Sequence, residues 1–181
     1  SWLSADWGMI IAVLSAITMT VGNVAALFQS NIKRLFGYSS IAQAGYLMVG
    51  LATVGMASTD AFAGRSGLLF FLMSYVATNL GAFFAIIAIT NKVNSDEIND
   101  FTGMIKRAPL LALSLSFCLI SLIGLPPTGG LIAKIYIFSG AVKVGLLWLV
   151  IVAVVNSVIS AFYYLRVVKM MWVGTPTSEE K

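Results

Sequence analysis

The sequence predicts an all-α fold: a polytopic membrane helix bundle of about five transmembrane helices, the fourth of which is discontinuous between Pro126 and Gly130. Composition is the first reason, because 59% of the 181 residues are hydrophobic and only 10% are charged, whereas soluble domains carry about 25% charged residues. The mean hydropathy of +0.95 agrees with this. The second reason is that five apolar stretches approach the length of about 20 residues that a bilayer-spanning helix needs. The third is that two prolines and two glycines, Pro126, Pro127, Gly129 and Gly130, interrupt one of those stretches.

The predicted spans follow one another as a single membrane domain over residues 1–181. The first covers about 7–28, the second about 39–57, and the third about 66–90. The loop 91–109 is rich in charged and polar residues, and its part from about Ser95 to Lys106 is expected to form a short surface helix with Ser95 as N-cap. The fourth span covers about 110–141 and contains the break, and the fifth covers about 145–172.

The distribution of basic residues decides whether the fourth segment is one broken span or two short ones. As one span, it leaves eight basic residues on one side of the membrane and two on the other. The eight are Lys33, Arg34, Lys92, Lys106, Arg107, Arg166, Lys169 and Lys181, and the two are Arg65 and Lys143. Two spans would give a split of six against four. Because cytoplasmic loops carry the excess of Lys and Arg, we expect five spans with loops 30–38 and 91–109 on the cytoplasmic side.

Lys134 is the candidate functional residue, since it lies about one turn beyond the break and at membrane depth. A lysine at the centre of a membrane helix costs about 2.5–3.5 kcal/mol on insertion scales. The carbonyls freed by the break cannot face lipid, and discontinuous membrane helices commonly line a site. We also expect the positive, N-terminal end of the second half-helix to lie near the amine. All seven acids fall in loops or tails, so the pattern favours a proton relay over an ion pair within the chain.

Other polar side chains at the same depth are candidates to support a hydrated polar axis. They are Asn23, Gln43, Tyr46, Tyr75, Asn79, Asn156 and Tyr163. Serines such as Ser157 and Ser160 are expected to bond back to carbonyls or across to neighbouring helices.

The sequence argues against a cofactor or metal held by this chain. It contains no histidine and one cysteine, Cys118, which lies in an apolar run and is expected to act as an inert small hydrophobe. Haem, zinc and iron–sulfur sites therefore lack their usual ligands. No basic run is long enough to follow a nucleic-acid backbone.

Three motifs carry a resemblance to a known family. They are NIKRLFGYSSIAQAGYLMVG at 31–50, GLPPTGGLIAKIYIF at 124–138 and FYYLRVV at 162–168. In order and spacing the chain resembles the subunit N (subunit 2) family of proton-pumping NADH–quinone oxidoreductase, respiratory complex I. Members of this antiporter-like family contain two inverted five-helix repeats. The chain resembles the second repeat, and we expect it to be a portion of a longer subunit.

The resemblance implies a function for the broken helix. It implies that Lys134 relays protons between a hydrated polar axis and an exit half-channel in an energy-transducing membrane, for which we expect the bacterial inner membrane. It also implies that NADH, FMN, iron–sulfur clusters and quinone belong to partner subunits, that antiporter-like subunits are neighbours, and that this chain has no redox active site.

Three alternatives stay open at the level of sequence. A subunit of a multi-subunit sodium/proton antiporter would share the fold and the lysine. A non-conducting structural or assembly subunit would tolerate replacement of Lys134. A solute transporter would need selective polar groups beside the break, where Thr128 alone is weak support.

Overall fold

The computed structural model describes residues 2–56 and 61–174, and it is helical almost throughout. Helices satisfy their own backbone polar groups, which suits apolar stretches of this length. In chain order the helices are α1 (Trp2–Leu27), α2 (Ile32–Met56), α3 (Ala61–Val93), a 3-10 helix (Ile98–Phe101), α4 (Met104–Arg107), α5 (Pro109–Ile123), α6 (Gly129–Lys143) and α7 (Leu147–Val173). The all-α prediction is confirmed. Position 57, the end of the second predicted span, and Lys181 lie outside the described residues.

Three of the described helices are long and apolar enough to cross a membrane by themselves, namely Trp7–Leu27, Arg65–Val93 and Leu147–Val173. Helix α2 has 25 residues, but it is more polar because it contains Lys33 and Arg34 in its first turn and Gln43 further along. Helices α5 and α6 have 15 residues each. Each is therefore roughly 22 Å long, which is less than the hydrocarbon core of about 30 Å.

Helices α5 and α6 follow one another along α3, in the direction opposite to it. Lys92 near the end of α3 donates to the Arg107 carbonyl just before α5 at 2.8 Å. Thr78 in the middle of α3 lies 3.4 Å from the Ser121 hydroxyl near the end of α5. Phe70 then packs edge-on against Tyr136 of α6, with 6.0 Å between ring centroids. The contacts move from Lys92 to Thr78 to Phe70 on α3 as the chain advances from α5 to α6. The two half-helices therefore form one broken path, as predicted, and not a hairpin.

The remaining long helices complete the bundle around α1. Helices α1 and α2 form an antiparallel hairpin in which the Ser15 hydroxyl donates to the Gly45 carbonyl at 2.7 Å. Helix α7 packs against both of them through residues such as Tyr46 and Ala153, which belong to a buried apolar cluster. Polar side chains of α1, α2 and α7 therefore face one another inside the bundle.

The loop between α3 and α5 docks on the α1–α2 turn. The Ile32 amide donates to the Asp96 carbonyl and the Ile98 amide donates to the Ser30 carbonyl, each at 2.9 Å. Lys33 forms an ion pair with Asp96 at 2.7 Å. Loops 30–38 and 91–109 consequently lie at the same end of the bundle.

The prediction of one short surface helix in this loop, capped by Ser95, is wrong in detail. The segment forms two single turns, the 3-10 helix and α4, because the backbone reverses at Gly103 with a φ of 70°. Glu97 and not Ser95 is the N-cap residue of the first turn. The Ser95 hydroxyl instead accepts a hydrogen bond from the Glu97 amide at 3.2 Å.

Candidate functional site

The Lys134 side chain is 5% exposed and points into the break between the half-helices. Its amine donates to the Ile123 carbonyl at 2.8 Å and to the Leu122 carbonyl at 3.3 Å. On the other side it lies 2.8 Å from the Ser157 hydroxyl of α7. The Tyr46 ring of α2 covers the amine, with 4.8 Å from Nζ to the ring centroid, which is a favourable cation–π distance.

The end of α5 explains why the amine finds two free carbonyls there. Gly124 adopts a left-handed conformation with a φ of 86°, which glycine reaches without strain. The Gly124 amide donates to Ser121 and the Leu125 amide donates to Ile120, which is the Schellman pattern of helix ends. A helix leaves four carbonyls without partners at its C-terminus. The turn provides donors for the Ile120 and Ser121 carbonyls, and Lys134 donates to the Leu122 and Ile123 carbonyls.

This arrangement gives the amine a neighbour that the sequence did not indicate. The amine contacts the carbonyl end of α5, which is the negative end of a helix dipole. Lys134 reaches this preceding half-helix because its side chain extends back across the break, in the direction in which helical side chains lean. Gly130, in the first turn of α6, lines the same small cavity as Lys134, and the effect of the positive end of α6 on the amine stays a prediction.

The residues of the break have distinct positions. Pro126 and Pro127 are exposed, and Gly129 begins α6. Gly130 lies against α5, where an added Cβ would stand 1.9 Å from the Ser121 carbonyl oxygen. Only a residue without a side chain permits this approach of the two half-helices.

Three of the predicted polar residues form a hydrogen-bonded cluster between α1 and α7. The Asn23 amide donates to Asn156 at 3.1 Å, and the Tyr163 hydroxyl donates to the Asn23 oxygen at 3.0 Å. The Asn156 amide also donates to the Thr20 hydroxyl at 3.1 Å. Mutual pairing of this kind satisfies buried polar groups at membrane depth.

Tyr46 and Gln43 connect α2 to the lysine. The Tyr46 hydroxyl donates to the Ala153 carbonyl at 3.3 Å and lies 3.4 Å from the Ser157 hydroxyl. The Gln43 amide donates to the Leu122 carbonyl, which Lys134 shares, at 3.4 Å. Both predicted residues are therefore within one contact of the Lys134 site.

The last two predicted residues, Tyr75 and Asn79, lie on α3 and are half-buried. Tyr75 lines a small cavity together with Lys134. Among the described residues, no side-chain partner is found for Asn79, so the structure does not bring it into the hydrogen-bonded site.

Two cavities meet at Lys134. The first, of about 10 Å³, lies among α2, α3, α5 and α6 and is lined by polar side chains that include Gln43, Ser74, Thr78 and Ser121. This volume is close to the space of a single water. The second is an open groove of about 400 Å³ between the break and α7, and Lys134 and Ser157 are the polar side chains in its otherwise apolar lining. Lys134 thus lies between a small cavity that several polar side chains border and a larger apolar groove.

The sequence analysis did not single out Ser157 or the two α5 carbonyls as contacts of Lys134, although it expected serines to bond back to carbonyls or across to neighbouring helices. Ser160 bonds a carbonyl of its own helix, and Ser157 bonds across to Lys134. A periodicity signal existed, because Ser157 falls on the same face of α7 as Ser160 and Tyr164, which are both buried. Within residues 2–56 and 61–174, no cluster of three or more potential metal ligands occurs.

Known proteins similar to this chain share its fold and sequence. The family model described as "NADH:quinone oxidoreductase/Mrp antiporter, TM" matches residues 2–160. NADH-quinone oxidoreductase subunit N of Dehalococcoides mccartyi is 50% identical over 177 residues, which are 98% of this chain and 36% of that protein. NAD(P)H-quinone oxidoreductase subunit 2 of a Synechococcus species is 45% identical over 96% of this chain and 32% of its own length.

A solved structure gives the same result. A chain of respiratory complex I from Thermus thermophilus with bound aureothin superposes with a TM-score of 0.77 and 31% identity, over 94% of this chain and 37% of that chain. The chain spans about a third of the length of the curated relatives that it matches. The resemblance indicated by the three sequence motifs is confirmed, and the chain belongs to the NADH:quinone oxidoreductase/Mrp antiporter transmembrane family.

Proposed function

We propose that this chain is the part of a subunit N-type membrane protein in which Lys134 relays protons across the membrane, within a complex that couples quinone reduction to proton translocation. The observation that carries the proposal is the buried Lys134 amine, held by carbonyls and a hydroxyl at a helix break. Among the described residues, no carboxylate contacts this amine. A lysine without a fixed counter-ion can take up one proton and release another, which is what a relay requires.

The surroundings of the amine support the same role. Hydroxyl groups can donate and accept hydrogen bonds, and two of them, from Ser157 and Tyr46, lie next to each other beside the amine. The Asn23–Asn156–Tyr163 cluster adds further buried polar groups between α1 and α7. These groups are suited to orient waters along a polar axis beside Lys134.

The proposal includes the surroundings of the chain. The chain crosses the membrane five times, with loops 30–38 and 91–109 on the cytoplasmic side of a bacterial inner membrane. Its relatives are named as subunits of NADH-quinone and NAD(P)H-quinone oxidoreductases. NADH, FMN, iron–sulfur clusters and quinone would accordingly be bound by partner subunits, and antiporter-like subunits would be membrane neighbours.

Replacement of Lys134 by methionine in the complete subunit, assembled in its complex, tests the relay. Methionine is an unbranched side chain one heavy atom shorter than lysine, and it removes the exchangeable proton. We expect proton pumping by membrane vesicles, measured with a pH-sensitive dye during NADH oxidation, to fall at least about tenfold, the general contribution of a positioned proton-transfer group being 10²–10⁴-fold.

Lys143→Met is the matched control, because Lys143 lies at the exposed end of the same helix. It should pump as the parent complex does. Full pumping by Lys134→Met, in complexes that contain normal amounts of the subunit, would refute the relay. The partner chains that purify with the subunit separate this function from that of a sodium/proton antiporter, which brings no NADH-oxidising partner.

A further inference from the structure

Ser157 of α7 holds the Lys134 amine from the side opposite α5. The distance from Nζ to the Ser157 Oγ is 2.8 Å, equal to the distance from Nζ to the Ile123 carbonyl oxygen. The Tyr46 hydroxyl lies 3.4 Å from the same Oγ. Ser157 is half-buried and lines the groove beside α7 together with Lys134. The amine therefore lies between α5, which offers two backbone carbonyls, and α7, which offers the Ser157 hydroxyl.

The two kinds of partner differ in chemistry. The Leu122 and Ile123 carbonyls only accept hydrogen bonds, so they serve the N–H groups of the amine in either protonation state. A neutral amine has two N–H groups and one lone pair, and the lone pair needs a donor. Among the described side chains bonded to Lys134, Ser157 is the one that can donate to it, since a hydroxyl hydrogen rotates to suit its partner.

We propose that Ser157 is a positioning residue for proton transfer through Lys134, which keeps the amine in one place by reversing the direction of a single hydrogen bond. It accepts from the charged ammonium and donates to the neutral amine after the proton has left. The ammonium loses one proton to an acceptor in the relay and regains one from a donor, so the cycle is balanced. This inference rests on the proposed relay function of Lys134.

The test compares Ser157→Thr with Ser157→Val in the complete, assembled complex. These two side chains have the same shape and differ only in the hydroxyl, and the adjoining groove offers space for the added methyl group. We expect pumping per NADH oxidised to stay near the parent value for Ser157→Thr. For Ser157→Val it should fall at least about tenfold, the lower end of the factor that corresponds to losing one hydrogen bond to a charged group.

Two alanine variants provide a second comparison that does not depend on added volume. Ser157→Ala should also lose pumping about tenfold. Ser160→Ala should keep pumping near the parent value. The Ser160 hydroxyl donates to the backbone carbonyl of Ser157 and not to the Lys134 amine, and the substitution leaves the Ser157 hydroxyl in place. Complex content and NADH oxidation with an artificial acceptor serve as measures of assembly.

The outcomes separate this inference from the proposed function. Equal pumping by Ser157→Val and Ser157→Thr, or full pumping by Ser157→Ala, would overturn the role of the hydroxyl. If this happens while Lys134→Met loses pumping, the relay stands and the positioning role falls. Full pumping by Lys134→Met removes both.

Discussion

At the scale of single residues, the bundle satisfies its buried polar groups by hydrogen bonds across helices and by bonds to backbone carbonyls of their own helix. Asn156 shows this most fully, because its amide donates to Thr20 and to the Val152 carbonyl, while its oxygen accepts from Asn23. Each of these bonds depends on a rotamer and a helix rotation, and not on the type of residue alone. Asn79, which has the same side chain and stands at similar depth, makes no such bond to a described residue.

This difference predicts unequal effects of the same substitution at two positions. Asn156→Leu should lower the free energy of unfolding by about 1 kcal/mol, the order of an interhelical hydrogen bond in a membrane, because Asn23 loses its acceptor. Asn79→Leu should have little effect or raise stability slightly. Heating of the solubilised subunit, followed by the fraction that stays monodisperse, measures both. Equal losses at the two positions would contradict the assigned network.

At the scale of secondary structure, the break is a built junction between two half-helices. The Schellman turn at Gly124 provides donors for two carbonyls at the end of α5, and Lys134 donates to the two that remain. Gly130 allows α6 to start against α5. The same feature therefore satisfies the backbone at membrane depth, as it must, and places the amine.

Substitution at Gly130 tests the junction directly. Gly130→Ala places a Cβ 1.9 Å from the Ser121 carbonyl oxygen, so the half-helices must separate, and we expect a loss of about 3 kcal/mol, at the upper end of the range for overpacking. Gly140→Ala on the same helix is the control, because its Cβ meets only the Thr53 side chain at 3.9 Å. Thermal unfolding of the two variants in detergent makes the comparison, and a Gly130→Ala variant as stable as Gly140→Ala would contradict the close approach.

At the scale of the whole molecule, the helices place both polar loops at one end. The Lys33–Asp96 ion pair and the backbone bonds around Ile32 join loop 30–38 to loop 91–109. Lys143 ends α6, which runs away from that end along α3. Lys33 and Lys143 therefore lie toward opposite ends of the bundle, as the predicted five-span arrangement expects.

Single cysteines on a Cys118→Ala background test this topology. We expect a membrane-impermeant maleimide to label Lys106→Cys in inverted vesicles, in which the cytoplasmic face is outside. Lys143→Cys should be labelled only in right-side-out vesicles. Both parent residues are exposed, so access of the reagent decides the result. Labelling of both from one side would contradict the five-span arrangement.

The sequence by itself determined the features that depend on local chemistry. Apolar length specified membrane helices, Pro126 to Gly130 specified the break, and the isolation of Lys134 from any acid at membrane depth marked it as the candidate relay. The tertiary structure alone decided what the lysine touches. Which carbonyls are free depends on the turn at Gly124, and whether Ser157 meets the amine depends on the rotation of α7 against α6. Contacts between helices arise from packing geometry that no single segment encodes. The sequence could therefore propose Asn79 for the polar axis, where the structure gives it no bond to a described side chain, and could not single out Ser157 as the serine that contacts Lys134.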